Sequence, residues 1–234
     1  MIKLGLIGRN ISHSRSQEMY EGLLGTSVEY DLLDYASDAD IKDLQELFSK
    51  GYLGLSVTYP YKKHFLDHVV ITDDKIKNLN AVNCIRRNGS QFEATNTDYL
   101  AARHLLENEY SQFKEYLVLG SGNMAKIFCS LLNSMNRDYR SFARSRDGDL
   151  NKLTYKEIIH VDPKDTLIIN CCSRDFTFTA DLPSDITFWD MNYSFTEHDP
   201  LKDREFYYIE GLNLLQFQAK YALEFWDIAL NRNS

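Results

Sequence analysis

Along the first hundred residues the spacing of apolar positions switches repeatedly between two and about 3.6. "KLGLIG" (3–8) is a short apolar strand, "SRSQEMYEGLL" (14–24) has helical spacing, and "VEYDLLDY" (28–35) reads as a strand. "DADIKDLQELFSKG" (38–51) predicts one capped amphipathic helix, with Ile41, Leu44, Leu47 and Phe48 on one face and Gly51 as the stop. A strand follows over 53–59. Strands separated by helices imply parallel pairing with right-handed crossovers. Within 75–98 two β-runs flank Asn88-Gly89, which predicts a hairpin, and helical spacing resumes over about 99–113.

The next segment, "YLVLGSGNMAKIFCSLLNSM", is more specific. A strand, Tyr116–Leu119, runs into Gly120-Ser121-Gly122-Asn123-Met124-Ala125 and then into a helix, which is GxGxxA in the context of a dinucleotide-binding turn. The glycines permit the tight turn and let a pyrophosphate approach the helix N-terminus, where unpaired N–H groups and the helix dipole favour anions. The alternative is a close-packed turn between strand and helix. The second strand of this half, "YRSFARSR" (139–146), lacks the acid that would bond a ribose 2′-hydroxyl and offers Arg144 and Arg146 instead. That favours NADP over NAD, because arginine pairs with a 2′-phosphate and stacks on adenine.

Composition narrows the classes. A chain of 234 residues with 44% apolar content can hold one large domain or two small ones. The formal charge of −8 and the lack of a dense basic block argue against nucleic-acid binding. No apolar run approaches a membrane span, and "MIKLGLIG" is too short and glycine-rich for a signal peptide. Cys84, Cys129, Cys171 and Cys172 lack metal spacing, so free thiols in a reducing cytoplasm are expected. The six histidines form no metal-type cluster, and His13, between two serines, reads as a local hydrogen-bonding or surface group.

"GLSVTYPYKKHF" (54–65) places two lysines straight after a strand and a proline. Lys62 is either a solvated helix start or a cation at the C-terminal edge of a sheet, where open α/β proteins place their ligands. Ser14 and Ser16 read as an N-cap and a first-turn residue of the helix 14–24, a role compatible with anion binding. Tyr193 reads equally as an aromatic packed at a strand end.

Seven segments, in order, carry a resemblance to the shikimate dehydrogenase family over nearly the whole chain. "IGRNISHSRSQ" (7–17) resembles its glycine-led segment ending in SxS, and "LSVTYPYKK" its NVTxPxK segment. "NAVNCI" (80–85) is similar to AVNT, "ATNTDY" (94–99) to NTDG, "IINCCS" (168–173) to the NATS strand, and "FWDMNYS" (188–194) to the D-x-x-Y strand. "EGLNLLQFQAKYALEFW" (210–226) resembles the closing GxxMLxxQAxxxFxxW helix. Ser56 stands where that family usually has asparagine, Tyr61 where histidine or phenylalanine is common, Tyr99 where glycine is expected, and Asn123 replaces a second consecutive glycine. The segments around 18–30 and 146–168 are shorter than is usual there.

The resemblance implies a two-domain α/β protein. An N-terminal α/β substrate domain (1–100, completed by a closing helix at 213–234) joins a Rossmann-type NADP-binding domain (101–212). It implies Lys62 and Asp98 as the catalytic pair. Ser14 and Ser16 would bind the substrate carboxylate, Thr58, Asn83, Asp98 and Gln218 the ring hydroxyls, and Tyr193 would contribute near the substrate. Gly120, Gly122, Asn123, Met124, Ala125, Arg144, Ser173 and Gly211 would bind NADP, and no metal is required. The implied reaction is reversible NADPH-dependent reduction of 3-dehydroshikimate to shikimate, by a cytoplasmic monomer or homodimer whose partner is a small molecule. A quinate or amino-shikimate dehydrogenase would use the same motifs, and a non-catalytic sensor of shikimate-like ligands or nucleotide is the alternative from another class.

Overall fold

A computed structural model describes residues 1–12 and 14–231; the reading of His13 lies outside the described residues. The chain divides into two compact units, Met1–Ala101 with the chain from Leu215 onward, and Ala102–Leu214.

The first unit is built on β1 (Lys3–Gly8), α1 (Ser16–Leu24), β2 (Glu29–Asp34), α2 (Leu44–Ser49), β3 (Gly54–Val57), α3 (Asp74–Leu79), β4 (Cys84–Asn88), β5 (Gln91–Thr95) and the start of α4 (Thr97–Asn108). Its sheet has the order β2-β1-β3-β4-β5. β1 pairs in parallel with β2 and β3, with Leu4 opposite Gly54, while β3–β4 and β4–β5 are antiparallel. The alternation of the strands sorts side chains onto two faces. Ile7, Leu55, Val57 and Ile85 meet Leu44, Leu47 and Phe48 of α2 on one of them. Leu4 and Cys84 meet Tyr20 and Leu23 of α1 and the closing helix on the other.

The expected helix over 38–51 is interrupted. Ser37 and Asp40 form a reciprocal cap around a 3₁₀ turn at Asp38–Asp40, and Ile41 is extended. Asp43 then starts α2 by accepting the Glu46 N–H at 2.7 Å. Short polar side chains here satisfy backbone donors locally and so compete with a continuous helix. Helix α4 likewise ends at Asn108, short of the expected 113. The hairpin forms, but its two loop residues are Gly89 and Ser90, one position later than Asn88-Gly89, with Asn88 paired to Gln91.

The second unit comprises the rest of α4, then β6 (Glu115–Leu119), α5 (Asn123–Ser134), β7 (Tyr139–Phe142), α6 (Arg144–Asp147), α7 (Tyr155–Ile158), β8 (Thr166–Asn170), β9 (Thr187–Asp190), α8 (Asp199–Lys202), β10 (Tyr207–Ile209) and the start of α9 (Leu212–Phe225). All its strands are parallel, in the order β10-β9-β8-β6-β7. This is a doubly wound, Rossmann-like sheet with one difference from the usual order, in which a third strand lies outside the second. Residues 143–165 carry only short helical turns, so β7 is an edge strand. The predicted strand 139–146 stops at Phe142, and Arg144 opens α6. Strand order reverses between β6 and β8, so the switch point lies beyond their C-terminal ends, where ligands of open α/β sheets bind.

Helix α9 returns to the first unit, where Ala219, Ala222, Leu223 and Trp226 pack against the sheet. The Trp226 indole lies on the bare backbone of Gly54, where a Cβ would sit 2.2 Å from the ring, and its Nε1–H donates to Ile85 O at 3.0 Å. Arg86 holds the same joint. Its guanidinium donates to Glu93 and to Phe225 O, and lies 4.7 Å from the centre of the Phe225 ring.

Candidate active site

In the first unit the implicated side chains gather at one sheet edge, formed by the C-terminal ends of β1, β3 and β5 and the start of β4. The chain leaves β3 through Thr58 and a cis Tyr59–Pro60 bond into a series of turns, so Lys62 is not at a helix start. Its carbonyl accepts the Val82 N–H at 2.8 Å, which fixes the turn. The Lys62 Nζ forms an ion pair with the Asp98 carboxylate in the first turn of α4, with side chains only 14% and 15% exposed.

Beside the pair is a hydroxyl and amide cluster. Asn83 Oδ1 accepts the Thr97 N–H at 2.7 Å, and Thr97 Oγ1 lies 3.2 Å from both Asn83 Oδ1 and Gln218 Oε1. A hydroxyl has one proton, so Thr97 donates to one of these oxygens at a time. Asn96 braces the segment by donating to Ala81 O and accepting the Tyr99 N–H. Thr58 is half-buried and packs on Gly8, where a Cβ would lie 2.5 Å from the threonine methyl. Ser14 and Ser16 sit at the start of α1. Arg15 holds the N-cap position, and Ser14 Oγ accepts the Ser16 N–H at 3.3 Å, so the cap expected of Ser14 is displaced by one residue.

The unusual residues are accommodated locally. Ser56 Oγ lies 3.2 Å from the fully buried Tyr20 hydroxyl, and burial pushes that phenol well above its usual pKa. The Tyr61 hydroxyl donates to Tyr35 O at 2.7 Å, and Tyr99 is buried.

In the second unit the expected cofactor residues lie at the C-terminal edge of the parallel sheet. Gly120 has φ +113°, and a Cβ there would come within 2.9 Å of Cys171 O. Only glycine allows β6 and β8 to approach so closely at this angle. Gly122 is the N-cap of α5 and supplies no side-chain cap, so the backbone donors of Asn123, Met124 and Ala125 face outward from the helix start. Ala125 is 3% exposed, packed between helix and sheet. Gly211 lies against Met191 O, which a Cβ would meet at 2.5 Å. An uncapped 12-residue helix behind a Gly-Ser-Gly turn fits a dinucleotide pyrophosphate.

Arg144 and Ser173 are brought together by a residue that the sequence reading did not single out. Arg144 Nη2 lies 3.2 and 3.3 Å from the two Asp175 oxygens, Ser173 Oγ donates to Asp175, and the guanidinium sits 5.0 Å from the Phe176 ring centre. The half-buried Tyr193 follows β9, with its carbonyl accepting from Arg174. Behind it is a network that sequence reasoning also missed. Asp190, fully buried, accepts from Asn170 Nδ2 (3.0 Å), from Asn192 N and Nδ2 (both 3.0 Å) and from Tyr208 OH (2.8 Å), and lies 2.5 Å from His198 Nδ1. His198 Nε2 accepts the Phe178 N–H, which puts the proton on Nδ1, towards Asp190. Asp190 thereby pins the turn that carries Tyr193.

Residues 6–85 match the family model described as "Shikimate dehydrogenase substrate binding domain". The shikimate dehydrogenase (NADP(+)) of Clostridium botulinum is 26% identical over 97% of this chain and 96% of its own length. The chain is similar to shikimate dehydrogenases along nearly its whole length. A shikimate dehydrogenase (NADP(+)) of Clostridium perfringens matches at 26% identity over 70% of the chain and 66% of its own length. Among solved structures, the shikimate 5-dehydrogenase of Thermus thermophilus in complex with NADP(H) and shikimate superposes with a TM-score of 0.71 at 20% identity, covering 98% of this chain and 95% of that one. A chorismate mutase/shikimate 5-dehydrogenase fusion protein from Clostridium acetobutylicum gives 0.74 at 22% identity, covering 100% and 94%. The shikimate dehydrogenase fold therefore extends over both units.

Proposed function

We propose that this chain is an NADP-dependent oxidoreductase that reduces 3-dehydroshikimate to shikimate, reversibly, in aromatic amino-acid biosynthesis. The observation that carries the reading is the shielded Lys62–Asp98 pair at a sheet edge, beside Asn83, Thr97 and Gln218. The names of the relatives support the same reaction and cofactor.

When bound, NADP(H) would supply or accept the hydride. In the reducing direction the substrate oxygen becomes an alkoxide and must gain a proton. Lys62 donates that proton, and its charge stabilises the developing negative oxygen. Asp98 orients the lysine and accepts from the same hydroxyl. Thr58, Asn83 and Gln218 match the remaining ring hydroxyls with groups that donate and accept, so no unpaired charge is buried. Ser14 and Ser16 at the start of α1 hold the carboxylate, where the helix N-terminus favours an anion. The backbone donors at Gly122–Ala125 would hold the pyrophosphate, Arg144 and Ser173 would serve the adenosine side, and Gly211 lies beside the β9 turn.

The four free cysteines accord with a cytoplasmic setting, and among the described residues no helix is long and apolar enough to cross a membrane. The functional unit is a monomer or a homodimer. The test is absorbance of reduced nicotinamide with 3-dehydroshikimate and NADPH, and in reverse with shikimate or quinate and NADP+. Turnover is expected with the shikimate pair and much less with quinate. Ligand binding without turnover would instead assign a sensor.

A further inference from the structure

In a nucleotide-binding sheet of this type the acid that accepts the ribose 2′-hydroxyl normally closes the second strand. Here β7 ends at Phe142 and is followed by Ala143 and Arg144, with no acid. The structure brings a carboxylate to that place from another loop. Asp175, in the segment after β8, sets both oxygens against Arg144 Nη2 at 3.2 and 3.3 Å and accepts from Ser173 Oγ. The Ser173 hydrogen bond, followed by the Arg144 contacts, holds its carboxyl below the usual carboxylate range, so it is ionised at neutral pH. Both adenosine-side residues of the proposed site are thus tied to one anion.

We propose that Asp175 is a specificity-determining residue for the cofactor, standing in for the missing acid of β7 and narrowing the preference for NADP. The proposal rests on the NADP reading above. Toward NAD, the carboxylate accepts the 2′-hydroxyl while Arg144 remains neutralised. Toward NADP, a 2′-phosphate of charge about −1.5 to −2 must share Arg144 with a carboxylate that repels it. The geometry permits sharing, because among the described residues the Arg144 hydrogen bonds leave from Nη2. A purely structural role is a poor fit. The side chains of Arg144 and Asp175 are 41% and 68% exposed, and pairs this open to solvent contribute little to stability.

The test is calorimetric binding of NADP+, NAD+, 2′,5′-ADP and 5′-AMP to the full chain and to Asp175→Asn and Arg144→Ala, with Tm measured for each. For the parent, NADP+ should bind less than about tenfold more tightly than NAD+, the factor one charge-assisted contact would give alone. Asp175→Asn should tighten NADP+ and 2′,5′-ADP about three- to fivefold, leave 5′-AMP unchanged, and leave NAD+ unchanged or weaker. Arg144→Ala should reverse the preference toward NAD+, because Asp175 then faces the 2′-phosphate with no cation between them. An NADP+/NAD+ ratio within about twofold of the parent in Asp175→Asn, with both cofactors still bound, would overturn the role of Asp175 and leave the cofactor reading standing. Failure of the parent to bind either cofactor would overturn both.

Discussion

Replacing Lys62 by alanine removes the cation from a pair whose side chains are 14% and 15% exposed. Two free energies respond, and their sizes differ enough to be separated. Breaking a fully buried pair by removing one partner costs about 3–5 kcal/mol, while an exposed pair is worth at most about 1 kcal/mol. A pair that is mostly shielded yet still reached by water falls between these limits, so a loss of about 1–3 kcal/mol of stability is expected, or several degrees in Tm. The rate should change more. A general acid or base contributes about 10²- to 10⁴-fold, equivalent to about 2.7–5.4 kcal/mol of transition-state stabilisation. Because the Lys62 charge meets full negative charge only as the alkoxide forms, kcat should fall while shikimate affinity stays within a few-fold. The assay is steady-state kcat with shikimate and NADP+ well below both melting temperatures, with shikimate binding measured separately by calorimetry. Lys62→Met, which keeps the apolar stem, separates charge from packing. Lys63→Ala is the control, since its side chain is exposed and should cost little. Retention of kcat within tenfold by Lys62→Ala, or equal effects at 62 and 63, would refute the assignment.

Two further substitutions probe the scaffold around each site. Gly120→Ala, at φ +113° with a new Cβ 2.9 Å from Cys171 O, should destabilise the second unit by about 1–3 kcal/mol and weaken NADP+ binding; an unchanged Tm and Kd would show that the turn tolerates a side chain. Glu93 is held below the usual carboxylate range by the Asn88 hydrogen bond and then by Arg86, so its folded pKa lies below an unfolded value of about 4.3. The resulting stability is fully present above that value and is lost as pH falls through the lower folded pKa. Denaturant titrations from neutral pH down to about pH 3 should therefore show a shallower acid loss in Glu93→Gln than in the parent; parallel curves would exclude the contribution.

Much of the fold is legible residue by residue because its determinants are local. The turn after β6 is readable from "GSGNMA", since the constraint, a positive φ beside a neighbouring carbonyl, is one that only glycine meets. The hairpin is readable from Asn88-Gly89, although pairing across β4 and β5 shifts the loop by one residue. The helix over 38–51 fails for an equally local reason, in that Ser37, Asp40 and Asp43 spend their oxygens on nearby N–H groups. Periodicity registers where apolar residues lie but does not reveal which short polar side chain turns back on the backbone.

The candidate sites divide along the same line. The sequence by itself determines the residue types: a lysine after a strand and a proline, an acid opening α4, serines opening α1, a glycine turn before α5, and no acid closing β7. Each is a statement about neighbours in the chain. Lys62 and Asp98 are 36 positions apart and Arg144 and Asp175 are 31 apart, and those contacts exist only because strands that run the same way, β3 with β5 and β7 with β8, bring their C-terminal ends to one edge. Thr97 reaches Gln218 because α9 returns to the first unit, and Asp190 reaches Tyr208 because β10 lies beside β9, with His198 on the connection between them. Strand order decided these partnerships, and strand order follows from how the apolar faces of the sheets are covered, a property of the whole core that no segment carries alone.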